Sequence, residues 1–204
     1  TSAYCFFIAN PSTSNEIQEL ADLYQESQQY RDIVLLPNVK DTYVNLTVTT
    51  LVTFQWINTR TMLHPVYVMK VDTDAYVHVR RLLQRLNSFP AHHSPFVYLG
   101  RVMKMGVRPY RDGHASEKAR KWLISTEEYK YDGWPAYCFG FGYVLGSSLL
   151  EILSRCIPKN LSCVDAESGY SECVPQDTRC QFAPIRFEDV TVGGIVTSYM
   201  VWLK

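Results

Sequence analysis

Apolar and polar positions along this chain fall into blocks that change period. Tyr4-Cys5-Phe6-Phe7-Ile8-Ala9 is an apolar run, which predicts a buried strand, and Asn10-Pro11-Ser12 breaks it. Thr13 with Glu16 three residues on has the form of a capping box, and Ile17, Leu20, Leu23 and Tyr24 follow at helical spacing. Asp32-Ile33-Val34-Leu35-Leu36 predicts a second strand, ending before Pro37. Residues 42–57 read two ways. Val, Thr and Phe favour a strand by propensity, whereas Leu46, Thr50, Phe54 and Ile57 lie on one helix face. Val66–Val71 predicts a strand, Val79, Leu82, Leu83 and Leu86 a helix, and Phe96–Leu99 a strand closed by Gly100. Residues 101–120 read as a basic loop. Ser147 onward reads as a helix, 157–184 as an irregular insertion stapled by cysteines, and the stretch from Glu188 as a packed helix. Strands and helices alternate through residues 4–99, which predicts a three-layer α/β domain with a mainly parallel central sheet.

Composition narrows the functional classes. The 204 residues suit about one domain with a sizeable core. With 47% hydrophobic and 20% charged residues the chain reads as globular. Lys+Arg and Asp+Glu are equal at 20 each, which argues against a nucleic-acid binder that works by phosphate neutralisation. The 14 Tyr and 4 Trp supply rings with polar tips, which serve carbohydrate sites, cores and interfaces alike.

Six cysteines are present, and Cys156, Cys163, Cys173 and Cys180 crowd into one segment without any C-x2-C pair, so the spacing of a structural zinc site is absent. Asn45-Leu46-Thr47 and Asn160-Leu161-Ser162 are N-glycosylation sequons. Together these features favour an oxidising, secretory setting; the alternative is a set of buried thiols in a cytosolic protein. The sequence shows no signal-peptide or membrane-spanning pattern. The expectation is a piece of a longer protein whose membrane anchor lies outside these residues.

Three stretches carry candidate chemistry. Asp72-Thr73-Asp74 follows the apolar run 66–71, and two carboxylates at the end of a strand suit a hard cation that shares its coordination with substrate phosphates. The plain alternative is a solvated acidic turn. Glu188-Asp189 opens a predicted helix, either as a helix-capping acid or as a general base in a cleft. Trp134-Pro135-Ala136-Tyr137-Cys138-Phe139-Gly140-Phe141-Gly142-Tyr143-Val144 sets aromatic rings around two glycines, which suits sugar stacking or, equally, core packing. His64, His78, His92, His93 and His114 show no metal-ligand spacing, and serine-hydrolase, P-loop and dinucleotide-binding fingerprints are absent.

Four ordered blocks resemble the fringe-related β-1,3-glycosyltransferases, the galactosyl- and N-acetylglucosaminyltransferases of glycosyltransferase family 31. Asp32-Ile33-Val34 with Asp41-Thr42-Tyr43-Val44-Asn45-Leu46-Thr47 is similar to that family's first block, and Lys70-Val71-Asp72-Thr73-Asp74-Ala75-Tyr76-Val77 to its acidic block. Lys121-Trp122-Leu123-Ile124-Ser125 with Trp134–Val144 is similar to the third, and Glu188-Asp189-Val190-Thr191-Val192-Gly193 to the fourth. Thr73 stands where the family has a middle Asp. A histidine expected after the fourth block has no counterpart, since none follows His114.

The resemblance implies a GT-A glycosyltransferase fold, with residues 42–57 helical and the whole chain one catalytic core truncated at both ends. It implies an inverting β-1,3-type hexosyltransferase, moving galactose or N-acetylglucosamine from a UDP-sugar to a glycan acceptor with Mn2+ bound. Asp74 and Asp72 would be metal ligands, and Asp72, Thr73 and Lys70 would face the donor. Asp189 would be the catalytic base, with Glu188, Trp134, Tyr137, Gly140 and Gly142 on the acceptor side. The implied location is the Golgi lumen, anchored as a type II membrane protein, with acceptors on glycoprotein or glycolipid. Two other readings are a catalytically inactive carbohydrate-binding relative and a metal-dependent hydrolase.

Overall fold

The computed structural model describes residues 3–13, 15–60, 64–111, 117–161 and 173–200. His114, Ser162 and Cys163 lie outside them. Strand β1 (Phe6–Asn10) leads through helix α1 (Glu16–Tyr30) to strand β2 (Ile33–Lys40), and the strands pair in parallel from Phe6 opposite Ile33 to Ala9 opposite Leu36. The register then slips and Asn10 faces Lys40. This irregularity carries β2 past Pro37, where an end was expected. A proline has no N–H to give to a ladder but is tolerated at a bulge. The expected capping box does not form. Asn15 stands at the N-cap, so Glu16 is the first helical residue and sits too early to reach back, while Thr13 Oγ1 donates to Glu19 at 2.8 Å.

Residues 43–59 are helical, as the resemblance implies. A short 3-10 turn (Tyr43–Asn45) is capped by the Thr42 side chain and runs into α2 (Leu46–Thr59). Val48, Leu51 and Phe54 of α2 are buried, so tertiary packing overrides the strand propensity of its β-branched residues. Asn45, the asparagine of the first sequon, is buried and its amide donates to Lys40 O at 3.3 Å.

The second sheet corrects the expectation of a mainly parallel one. Its strands are β3 (Tyr67–Val71), β4 (Tyr98–Met103) and β5 (Tyr137–Gly146), in the order β3-β5-β4 and antiparallel throughout. Helix α3 (Val79–Asn87) is the crossover that keeps β3 and β4 pointing the same way. That alternation is what the sequence pattern registers. The late strand β5 then enters between them in the opposite direction. β4 also runs on through Gly100, because a Cβ there would meet Cys138 at 2.9 Å and glycine lets β5 approach.

Helices cover both faces of this sheet, giving it three layers. Leu82 and Leu86 of α3 pack with Met69, Leu99 and Val144 on one face. On the other, α2, α4 (Ser147–Arg155) and α5 (Glu188–Met200) pack Leu51, Phe54, Leu149, Leu153, Val192 and Ile195 against Tyr143 and Leu145. The cysteine-rich stretch is stapled to this core by a Cys156–Cys180 disulfide, and Cys173 is also disulfide-bonded. Cys5 and Cys138 are free thiols. Among the described residues no helix is long and apolar enough to cross a membrane.

Candidate active site

Two close approaches build the site. Gly193 of α5 lies so near β5 that a Cβ would come within 2.3 Å of the Tyr137 Cβ, so the second turn of α5 presses onto that strand. β5 itself is bulged. Gly100 pairs with Tyr143 and Val102 with Cys138, so Arg101 alone of β4 faces Phe139, Gly140, Phe141 and Gly142. Such bulges re-aim backbone and side chains next to functional sites. Here the bulge turns the Gly140 peptide toward the two acids that open α5.

Asp189 is held by backbone donors. Its Oδ2 accepts from Gly140 N at 3.2 Å and its Oδ1 from Val190 N at 2.9 Å. Burial raises its pKa, against the pull of those two amides and of Lys70. The helix N-terminus also favours both acids in this first turn.

Glu188 is only 4% exposed, so it presents no edge to an acceptor, contrary to the expectation for it. The Tyr143 hydroxyl donates to its Oε1, and Lys70 Nζ lies 3.7 Å from its Oε2. Burial pushes its pKa up to about 7, although Lys70 and Tyr143 both favour the carboxylate. The Tyr143 hydroxyl is in turn made a far weaker acid by burial and by the neighbouring Glu188 charge.

β3 delivers the acidic turn. Asp72 N donates to Phe141 O at 3.1 Å, and Ala75 N closes a turn onto Asp72 O at 3.1 Å. Thr73 and Asp74 occupy the exposed tip of this turn. Asp72 is half-buried, and its Oδ1 accepts from Lys70 Nζ at 2.5 Å. Lys70 also donates to Gly140 O at 2.5 Å. Lys70 thus ties Asp72 to the bulge whose Gly140 N–H holds Asp189. Three of the blocks singled out in the sequence meet at this one place.

Trp134 and Tyr137 do not offer ring faces to a sugar. They are 7% and 8% exposed and pack with Tyr129, Ile185, Phe187 and Val190. The open rings of that stretch are Phe139 and Phe141, stacked with centroids 6.2 Å apart, and Arg101 lies over Phe139. Gly142 is a ladder residue opposite Val71.

Sequence reasoning left three neighbours unassigned. The Tyr43 hydroxyl lies in the field of Asp189, Arg186 and Asp72, and Tyr43 was visible only as part of the first block. Arg186 pairs with Glu128 at 3.5 Å and donates to Leu123 O, while Tyr143 supports Glu188. No local spacing marks these residues, because the contacts bridge distant segments.

Among the described residues no group of three or more His, Cys, Asp and Glu side chains is placed to hold a divalent metal. Asp72 and Asp74 share one turn at the carboxyl end of β3, and Asp74 is exposed. Two carboxylates suit a hard cation that takes its remaining oxygens from water and a substrate diphosphate, so the pair fits an ion bound together with its substrate.

Comparison with known proteins identifies the family. The profile of the galactosyltransferase family matches residues 3–165. The chain is 35% identical over 131 residues to β-1,3-galactosyltransferase 2 of Mus musculus, covering 63% of this chain and 29% of that protein. It is 33% identical over 144 residues to β-1,3-galactosyltransferase 5 of Mus musculus, covering 71% of this chain and 43% of that protein. It is 32% identical over 140 residues to a human lactosylceramide 1,3-N-acetyl-β-D-glucosaminyltransferase, covering 69% and 34%. The chain therefore spans less than half the length of these relatives. A profile match running through the acidic turn and the bulged strand places this chain in the galactosyltransferase family.

Proposed function

We propose that the protein containing this chain is an inverting β-1,3-type hexosyltransferase with a GT-A core. It transfers galactose or N-acetylglucosamine from a UDP-sugar to a glycan hydroxyl in the Golgi lumen. The observation that carries this reading is the Asp72–Lys70–Gly140–Asp189 chain of contacts, which fixes a half-buried carboxylate beside an acidic turn.

Asp189 accepts the acceptor hydroxyl proton, and burial makes it a better base than a solvated aspartate. The acceptor oxygen forms a bond to the anomeric carbon from the face opposite the leaving group. The bond from that carbon to the diphosphate oxygen breaks, and UDP departs with the electron pair. Asp74 and Asp72 would hold Mn2+, whose chemistry when bound is to spread the charge of the diphosphate. Lys70, beside Asp72, adds positive charge on the donor side. The disulfides suit an oxidising lumen.

The test uses the full-length protein with Mn2+ and a panel of UDP-sugars. Asp189→Asn is expected to lower transfer by roughly 10²–10⁴-fold while UDP binding persists. Asp74→Ala is expected to weaken Mn2+-dependent UDP binding by about tenfold or more. Wild-type transfer by either variant, or UDP release that needs no acceptor, would overturn the assignment.

A further inference from the structure

We infer that Lys70 is the resident cation of the donor site and that a divalent ion must compete with it for the Asp72 carboxylate. This rests on the reading of Asp72 as a metal ligand. The Lys70 side chain is 16% exposed, and its ammonium has three oxygen neighbours: Asp72 Oδ1 at 2.5 Å, Gly140 O at 2.5 Å and Glu188 Oε2 at 3.7 Å. Two of these are hydrogen bonds and the third, to Glu188, is an ion pair at longer range. A charge this enclosed is held by its partners, and the partners are held by it.

A second cation at Asp72 meets two obstacles. One of the two carboxylate oxygens, Oδ1, is already engaged by Lys70, and the ammonium repels a second cation at contact range. Metal alone therefore finds a site whose negative charge is partly cancelled. A nucleoside diphosphate reverses this, because its phosphate oxygens supply the charge and ligands that the ion lacks. Lys70 then gives up Asp72 for a phosphate oxygen while keeping Gly140 O and Glu188. The consequence is coupled loading: the ion binds weakly by itself and tightly with the diphosphate. Lys70 acts here as a positioning residue, through its hold on Asp72.

The experiment titrates full-length protein with Mn2+ alone and with Mn2+ plus UDP, reading free Mn2+ by electron paramagnetic resonance. Lys70→Met is expected to bind Mn2+ alone about tenfold more tightly than wild type, and to lose most of the tightening that UDP brings. Lys70→Met/Glu188→Gln removes the buried Glu188 carboxylate together with its counter-charge and is expected to show the same gain if the single variant does not fold. Arg101→Met removes a nearby cation that does not touch Asp72, and it should leave the affinity within about twofold. Mn2+–UDP binding by wild type with no gain in the Lys70 variants overturns the inference and leaves the proposed function standing. An equal gain in Arg101→Met also overturns it, since net charge would then suffice. No Mn2+–UDP binding in any of these proteins overturns both.

Discussion

Gly140 donates its amide hydrogen to Asp189 across a gap closed by the absence of a side chain. A Cβ at position 140 would stand 3.1 Å from Glu188 Oε2 and 3.6 Å from Asp189 Cβ. Glu188 has little room to give, since Tyr143 and Lys70 hold its two oxygens. Gly140→Ala should therefore displace the two acids by a few tenths of an ångström while the ladder around them persists. The expected result is a loss of transfer of about 10–100-fold, in the range that small misplacements of reacting groups cost, with a nearly unchanged melting temperature. Kinetics and a thermal melt on the same preparation check it. Full activity would mean that the Gly140–Asp189 contact does not govern the base.

Glu188 should make stability depend on pH. Its folded pKa stands near 7 because of burial, above its ordinary value of 4.5. The folded state then holds a proton that the unfolded state has lost across this window. The stabilisation is fully present below about pH 4.5 and is lost as pH rises through 7. At 1.36 kcal/mol per unit, the change is on the order of 3 kcal/mol. Glu188→Gln keeps a partner for Tyr143 but cannot ionise. Its urea stability should change less than that of the wild type between pH 5 and pH 8. Parallel pH profiles for the two proteins would show that Glu188 stays ionised throughout.

Most of the elements were legible in the sequence because each follows a local period. The run before Asp72, the stripe of α3 and the apolar run of α5 are visible within a dozen residues. What stayed hidden were relations between segments. β5 reads as aromatics around glycines, and nothing local says that it enters between β3 and β4. The acids Asp72 and Asp189 stand out by type, but their link through Lys70 and Gly140 depends on a bulge that only pairing creates. Trp134 and Tyr137 read as sugar contacts by composition. They are core because α5 and the 185–187 segment cover them, and no spacing reveals that.

Arg111 should matter to stability rather than to chemistry. Its guanidinium donates to four backbone carbonyls, those of Ile124 at 3.3 Å, Ser125 at 2.6 Å, Tyr129 at 2.5 Å and Tyr131 at 2.9 Å. These bonds pin the 124–131 segment that underlies Trp134 and Phe187. Arg111→Met keeps the stem but leaves those carbonyls without this donor. A loss of about 2–4 kcal/mol is expected in urea unfolding, since hydrogen bonds from charged donors are the stronger kind. Arg111→Lys should recover only part of it, because an ammonium cannot reproduce the planar fork. Equal stability of all three proteins would show that the segment is held by its apolar contacts alone.

Tyr43 is expected to touch substrate. The ring is 58% exposed at the start of the turn that leads into α2. Thr47, four residues on, donates to Ile185 O at 2.6 Å, which fixes this turn beside Arg186 and the acids that follow. Burial raises the Tyr43 pKa, and the charges of Asp189 and Asp72 raise it further against Arg186. The phenol therefore stays a hydrogen-bond donor throughout the working pH range. Its hydroxyl has no hydrogen-bond partner among the described residues, so removing it should not cost stability. A donor that feels both the Asp189 and the Asp72 charge is expected to meet a hydroxyl or phosphate oxygen of the substrate. Tyr43→Phe should lower kcat/KM by about tenfold, as loss of one hydrogen bond to a polar or charged partner predicts, with an unchanged thermal melt. If the loss falls on the KM for the UDP-sugar, Tyr43 holds the donor; if it falls on the acceptor KM, it holds the glycan. Unchanged kcat/KM for both substrates would place the phenol outside the reacting cleft.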